Sequence, residues 1–79
     1  MKEKLYTILN RILDVPVDEI NDQTSPENTA TWDSFNSILM VSELEKAAGQ
    51  SFTMAEVMAV KNVGDIKKLL YKYHVSYEC

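Results

Sequence analysis

The sequence predicts an all-α domain, a small bundle of three longer helices and one short one. Three observations predict it: apolar residues recur at helical spacing in three segments, helix-capping signals stand where the second, third and fourth helices open, and no stretch keeps the two-residue alternation of a strand. With 79 residues and 46% hydrophobic content, the chain can build one core and has no length for a second core or a deep catalytic cleft.

Leu5, Ile8, Leu9, Ile12 and Leu13 fall at i, i+3, i+4, i+7 and i+8, with Lys4, Asn10 and Arg11 off the stripe, which predicts a first helix over about residues 2–14. Pro16 disfavours helical geometry at Val15 and ends the run. The segment 15–33 then reads as a loop. Val17 and Ile20 are expected to reach back to the core, while NDQTSPENTAT, residues 21–31, carries turn formers and almost nothing to bury. So long an exposed loop in so small a domain raises a functional question.

A second helix is expected over about 34–48, capped by Asp33 or Ser34 and stopped near Gly49. It has too many apolar residues for one stripe. Met40, Val41, Leu44, Ala47 and Ala48 suit the core; Phe35, Ile38 and Leu39, with Ser42, form a second row. Thr53-Met54-Ala55-Glu56 is a T-x-x-E capping box with Phe52 placed to staple onto Val57, so a short third helix over about 54–60 is expected. Asn62 caps a fourth over about 63–73, with Asp65 in its first turn and Ile66, Leu69, Leu70 and Tyr73 at helical spacing. From His74 onward a polar, frayed tail is expected. Met40, Met54 and Met58 read as flexible filling for the core, although side chains of that kind also line adjustable pockets.

Composition excludes several functions. No stretch approaches the roughly 18 apolar residues of a membrane span, and MKEKLYTILNRIL lacks the plan of a signal peptide; a cytoplasmic location is the expectation. The single cysteine, Cys79, permits no disulfide within the chain and no metal cluster, and reads as an exposed bystander thiol. Net charge is -4, and between Arg11 and Lys46 the chain holds only acids: Asp14, Asp18, Glu19, Asp22, Glu27, Asp33, Glu43 and Glu45. That field repels nucleic acid and anionic lipid. It suits basic partner surfaces, and equally a protein merely kept soluble by its acids. The only histidine, His74, has no nucleophile or carboxylate placed beside it by the sequence, and glycine-rich phosphate loops are absent. Nothing here supports an enzyme.

What remains is Thr31-Trp32-Asp33-Ser34-Phe35, a hydroxyl where the acidic loop becomes the first turn of an amphipathic helix. Read alone, Asp33 and Ser34 are an ordinary N-cap pair. A phosphodiester on Ser34 would also sit at the helix's free N–H groups and the positive end of its dipole.

Nearly the whole chain resembles the acyl carrier protein family. Asp33-Ser34-Phe35 stands for that family's Asp-Ser-Leu motif, SELEKAAG matches the end of its second helix, and Val63-Gly64-Asp65-Ile66 the start of its last. The order of long helix, long loop, Asp-Ser, long helix, short helix and final helix agrees from end to end. The resemblance implies a small four-helix bundle of acyl carrier type and a discrete, non-enzymatic monomer. Ser34 would carry 4'-phosphopantetheine, taken from coenzyme A by a phosphopantetheinyl transferase (holo-acyl carrier protein synthase), and Asp33 would position the motif. The arm's thiol would hold acyl groups as thioesters and present them to acyl-transferring and acyl-modifying enzymes, and such carriers often shelter the chain between their helices.

The sequence departs from the family's pattern in two places. After Ser34 no acid occurs until Glu43, where housekeeping members are commonly acidic. Docking would then rest on Phe35, Ile38 and Leu39, with Glu43, Glu45 and Glu56 adding charge; Ile38 and Leu39 packing under the loop is the competing reading. Trp32 replaces a smaller residue, either as a loop anchor or as a contact for partners or the arm. These differences leave open fatty acid, modified-lipid and polyketide-type biosynthesis. A peptidyl or aminoacyl carrier is a further alternative, although Trp32-Asp33 stands where those carriers usually have a glycine-rich approach. An unmodified helical interaction module is another.

Overall fold

A computed structural model gives the fold, describing residues 1–78; the exposed thiol expected at Cys79 lies outside the described residues. Helix α1 (Leu5–Leu13) is followed by a single 3-10 turn (Val17–Glu19), then α2 (Ser34–Ala48), α3 (Met54–Met58) and α4 (Val63–Lys72). No strand occurs among the described residues.

One core joins the helices. Leu5, Ile8, Leu9 and Leu13 from α1, Met40, Leu44 and Ala47 from α2, and Val63, Ile66 and Leu70 from α4 are buried together with Ile20 and Trp32 of the connecting loop. Each fully buried aliphatic side chain contributes about 1.5–3 kcal/mol. On α2 the buried residues lie at i, i+4 and i+7, which leaves the second apolar row outside: Phe35 and Ile38 are 69% and 70% exposed. The competing arrangement, with Ile38 packed under the loop, does not occur.

Helix α1 is shorter than its periodicity suggests, because residues 1–4 are recruited elsewhere. The Lys2 amide donates to the Ala47 carbonyl at 3.0 Å and the Leu5 amide to the Glu78 carbonyl at 2.6 Å, while the N-terminal ammonium donates to the Ser76 carbonyl at 2.7 Å. The tail is correspondingly not frayed. His74 adopts left-handed backbone, φ 58°, and the Val75 and His74 amides donate to the Leu70 and Tyr71 carbonyls at 2.9 and 3.0 Å. This closing motif turns Val75 and Tyr77 onto the core.

The loop is better ordered than its turn-forming composition suggests. Ile20 is buried as expected, whereas Val17 is exposed. Thr24 is buried; its hydroxyl accepts the Asn21 amide at 3.0 Å. The Thr24 and Asp22 carbonyls accept the Val63 and Gly64 amides at 2.9 and 3.0 Å, so the loop satisfies two donors that the start of α4 leaves free. A Cβ at Gly64 would meet Asn62 Oδ1 at 3.2 Å and the Asp22 carbonyl at 3.4 Å, the reason for glycine there. Asp22 also pairs with Lys67.

Helix α3 buries no residue fully. Phe52 and Val60, at its two ends, pack on the core, Val57 is half-buried, and Met54 and Met58 are 73% and 70% exposed. The core-filling role read for the methionines therefore holds for Met40 alone of these three.

Candidate functional site

Ser34 is the first residue of α2 and is exposed. Its position is set by capping on both sides of the helix start. The Asp33 carboxylate accepts the Asn36 amide at 2.9 Å, and the Asn36 side chain reaches back to donate to the Thr31 carbonyl at 2.8 Å. This is not a capping box, in which the third residue accepts from the N-cap amide; Asn36 instead donates to the loop carbonyl two residues before the cap and ties the loop to the helix start. Its place three residues after the cap was the available signal. The amides of Ser34 and Phe35 are among those a helix start leaves without an intrahelical partner, so an anion built on the Ser34 hydroxyl meets free donors and the positive helix end. An exposed hydroxyl in that setting is sterically and electrostatically suited to a phosphodiester-linked arm.

Trp32, two residues earlier, is 5% exposed. Its indole Nε1–H donates to Ser37 Oγ at 3.0 Å, which anchors the end of the loop to the first turns of α2. Trp32 and Ser37, flanking Ser34 in the chain, both line a cleft of about 60 Å³. The rest of its wall is apolar, formed by residues such as Met40, Leu44, Val57, Ile66 and Leu69.

The residues expected to face partners separate into two groups. Phe35 and Ile38 are exposed beside Ser34, with Leu39 less so, and Met54 joins Ile38 along a shallow groove between α2 and α3. The sequence reading placed the methionine in the core and so missed this. The acids, by contrast, are largely engaged within the chain. Glu43 lies 3.5 Å from Arg11, which also holds Glu3 at 2.8 Å. Glu45 accepts the Phe52 amide at 2.7 Å. Glu56 completes the capping box with Thr53 and also accepts from Lys72 and the Tyr73 hydroxyl. The Lys72 ammonium above all, then Tyr73 and the Thr53 amide, hold the Glu56 carboxyl down at about 2. Glu56 ties α3 to α4 and is not a free surface charge.

Comparison with known proteins agrees with this architecture. The family profile described as a phosphopantetheine attachment site matches residues 3–70. A solved structure of a Mycobacterium tuberculosis protein, Rv0033, described as a candidate acyl carrier protein, superposes with a TM-score of 0.78 at 19% identity, covering 87% of this chain and 92% of that one. A search of curated protein sequences finds no match. A profile that spans the helices and the loop-to-helix junction establishes that the chain belongs to the phosphopantetheine-attachment family, with the acyl carrier fold: it is a carrier with covalent 4'-phosphopantetheine as its cofactor, and not an enzyme.

Proposed function

We propose that Ser34 is the attachment residue and that the arm it carries holds acyl intermediates as thioesters for biosynthesis of a fatty acid, modified lipid or polyketide-type product. The observation that carries this reading is the exposed Ser34 hydroxyl on the first turn of α2, with Asp33 as N-cap, inside the span matched by the family profile. In the loading step the Ser34 oxygen attacks the pyrophosphate of coenzyme A on a separate transferase. The new P–O bond leaves the arm as a phosphodiester, the nucleotide half departs, and the serine proton passes to the transferase. Asp33 acts by fixing the start of α2 and hence the direction of the hydroxyl.

Phe35, Ile38 and Leu39 are the proposed partner contacts, with Met54 extending the row. Their exposure beside Ser34 supports an apolar contact for the transferase and for acyl-transferring enzymes. Glu43 and Glu45 supply charge at its edge. The internal bonds of Glu56 favour a structural role for that residue in place of docking. The proposed compartment is the cytoplasm. Loading with coenzyme A and a broad-specificity transferase, followed by fragmentation mass spectrometry, tests the assignment: the arm is expected on the peptide containing Ser34, and an arm on any other residue rejects it.

A further inference from the structure

Among the described residues the Ser34 hydroxyl makes no hydrogen bond, so the backbone on either side of it decides where its oxygen sits. That backbone is bridged twice. Thr31 and Trp32, just before the Asp33 cap, are tied to Asn36 and Ser37 on α2: Asn36 Nδ2 donates to the Thr31 carbonyl at 2.8 Å, and the Trp32 indole donates to Ser37 Oγ at 3.0 Å. Ser34 and Phe35 lie in the chain between the two halves of this bridge. The ties differ in their surroundings, since Trp32 is part of the core whereas Thr31 is exposed and Asn36 half-buried. The outer tie thus adds little to packing; what it fixes is the angle at which the loop enters the helix. Asparagine suits both of its bonds. Its backbone amide donates to the Asp33 carboxylate at 2.9 Å while its side-chain amide donates to Thr31, and a carboxylate in its place could not donate to a carbonyl.

We propose that Asn36 is a positioning residue for the loading of Ser34: its bond to the Thr31 carbonyl sets the approach of the loop, and thereby the line along which the Ser34 oxygen meets the phosphorus of coenzyme A. The inference rests on Ser34 being the attachment residue. Displacement at phosphorus needs the attacking and leaving oxygens roughly in line, and a misplacement of about 1 Å costs up to about a hundredfold in rate. With the Trp32–Ser37 tie still in place, loss of the outer tie alone is expected to cost about tenfold. Asn36 acts through the backbone and touches none of the reacting atoms.

The test uses Asn36→Ala, Asn36→Asp and Asn36→Gln in the full chain. Each is loaded from coenzyme A in single turnovers at saturating transferase, read by intact mass, with KM taken from steady-state loading and stability from urea midpoints. Asn36→Ala removes the donor. Asn36→Asp removes it too but places an acid in the first turn of α2, where the helix dipole favours one, so its urea midpoint is expected to lie above that of the alanine variant. Both are nevertheless expected to load about tenfold more slowly than the native chain, with KM held within about twofold. Asn36→Gln keeps an amide donor and is expected to recover part of the rate. A single-turnover rate within about twofold of native for Asn36→Ala overturns the proposal. So does a raised KM at an unchanged rate, which would make Asn36 a contact for the transferase, or slowing confined to Asn36→Asp, which would be an effect of added charge. Rates that simply follow the urea midpoints across the three variants overturn it as well, because they reduce Asn36 to stability alone. A native chain that accepts no arm overturns the attachment reading itself, before any variant is compared.

Discussion

The Trp32 indole N–H and the Ser37 hydroxyl meet at 3.0 Å, so the last turn of the loop and the second turn of α2 are held as one piece with Ser34 between them. The pair positions the site, and both residues line the cleft. Trp32→Ala removes a buried aromatic and this bond together, and is expected to cost about 3–5 kcal/mol. Urea unfolding followed by circular dichroism measures it; a loss below about 1 kcal/mol would show that the loop holds its place without the indole.

Asp33→Ala removes the acceptor for the Asn36 amide and is expected to destabilise the fold by about 1 kcal/mol, whereas Asp33→Asn keeps a capping oxygen and stays within a few tenths of the native value. Both variants also test the positioning role. Loading by the transferase should slow in proportion to the lost cap, more for alanine than for asparagine. Equal slowing in both variants would mean that the Asp33 charge acts on the transferase directly.

Glu56 links acid stability to the α3–α4 contact. Its carboxyl sits at about 2 in the fold against an ordinary 4.5, chiefly because Lys72 donates to it. A folded value below the unfolded one means the stabilisation is fully present above about 4.5 and is lost as pH falls toward about 2. Thermal melts from pH 7 to pH 2 should show the native Tm falling through that window. Glu56→Gln should start from a lower Tm at pH 7 and fall less steeply. Parallel curves for the two chains would contradict the assignment.

Ile38→Glu and Met54→Glu change exposed side chains, and each should leave stability within about 0.5 kcal/mol of native. If the row is the docking surface, the apparent KM for the transferase rises about tenfold for a central contact, equivalent to ~1.4 kcal/mol. Steady-state loading kinetics at several carrier concentrations separate this from a change in kcat. An unchanged KM in both variants would place docking elsewhere.

Much of this architecture is legible locally. The α1 stripe, the Met40, Leu44 and Ala47 face, the Thr53–Glu56 box and the Asn62 cap follow from spacings of three and four residues, which chain geometry alone fixes. Pairings between distant segments left no such pattern. The bonds from Lys2 to Ala47 and from Leu5 to Glu78 shorten α1 and secure the tail, yet their backbone donors and acceptors carry no side-chain signal. Glu56 looked like a surface acid because the capping box accounts for it completely; Lys72 and Tyr73 come from another helix. Met54 and Met58 were assigned to the core on chemistry, whereas α3 buries no residue fully and leaves both exposed. At the site, the Asp33 cap and the exposed Ser34 were readable, and the return of Asn36 to Thr31 was not singled out because asparagine commonly serves turns as well as caps.

Intact mass after incubation with coenzyme A and a broad-specificity phosphopantetheinyl transferase, run on the native chain, Ser34→Ala and Ser37→Ala together, tests the central claim most directly. Ser37 supplies the nearest competing hydroxyl on the same helix. One phosphopantetheinyl group on the native chain and on Ser37→Ala, and none on Ser34→Ala, is the predicted result. An arm on Ser34→Ala, or a folded and unmodified native chain that takes none from several transferases, would contradict it.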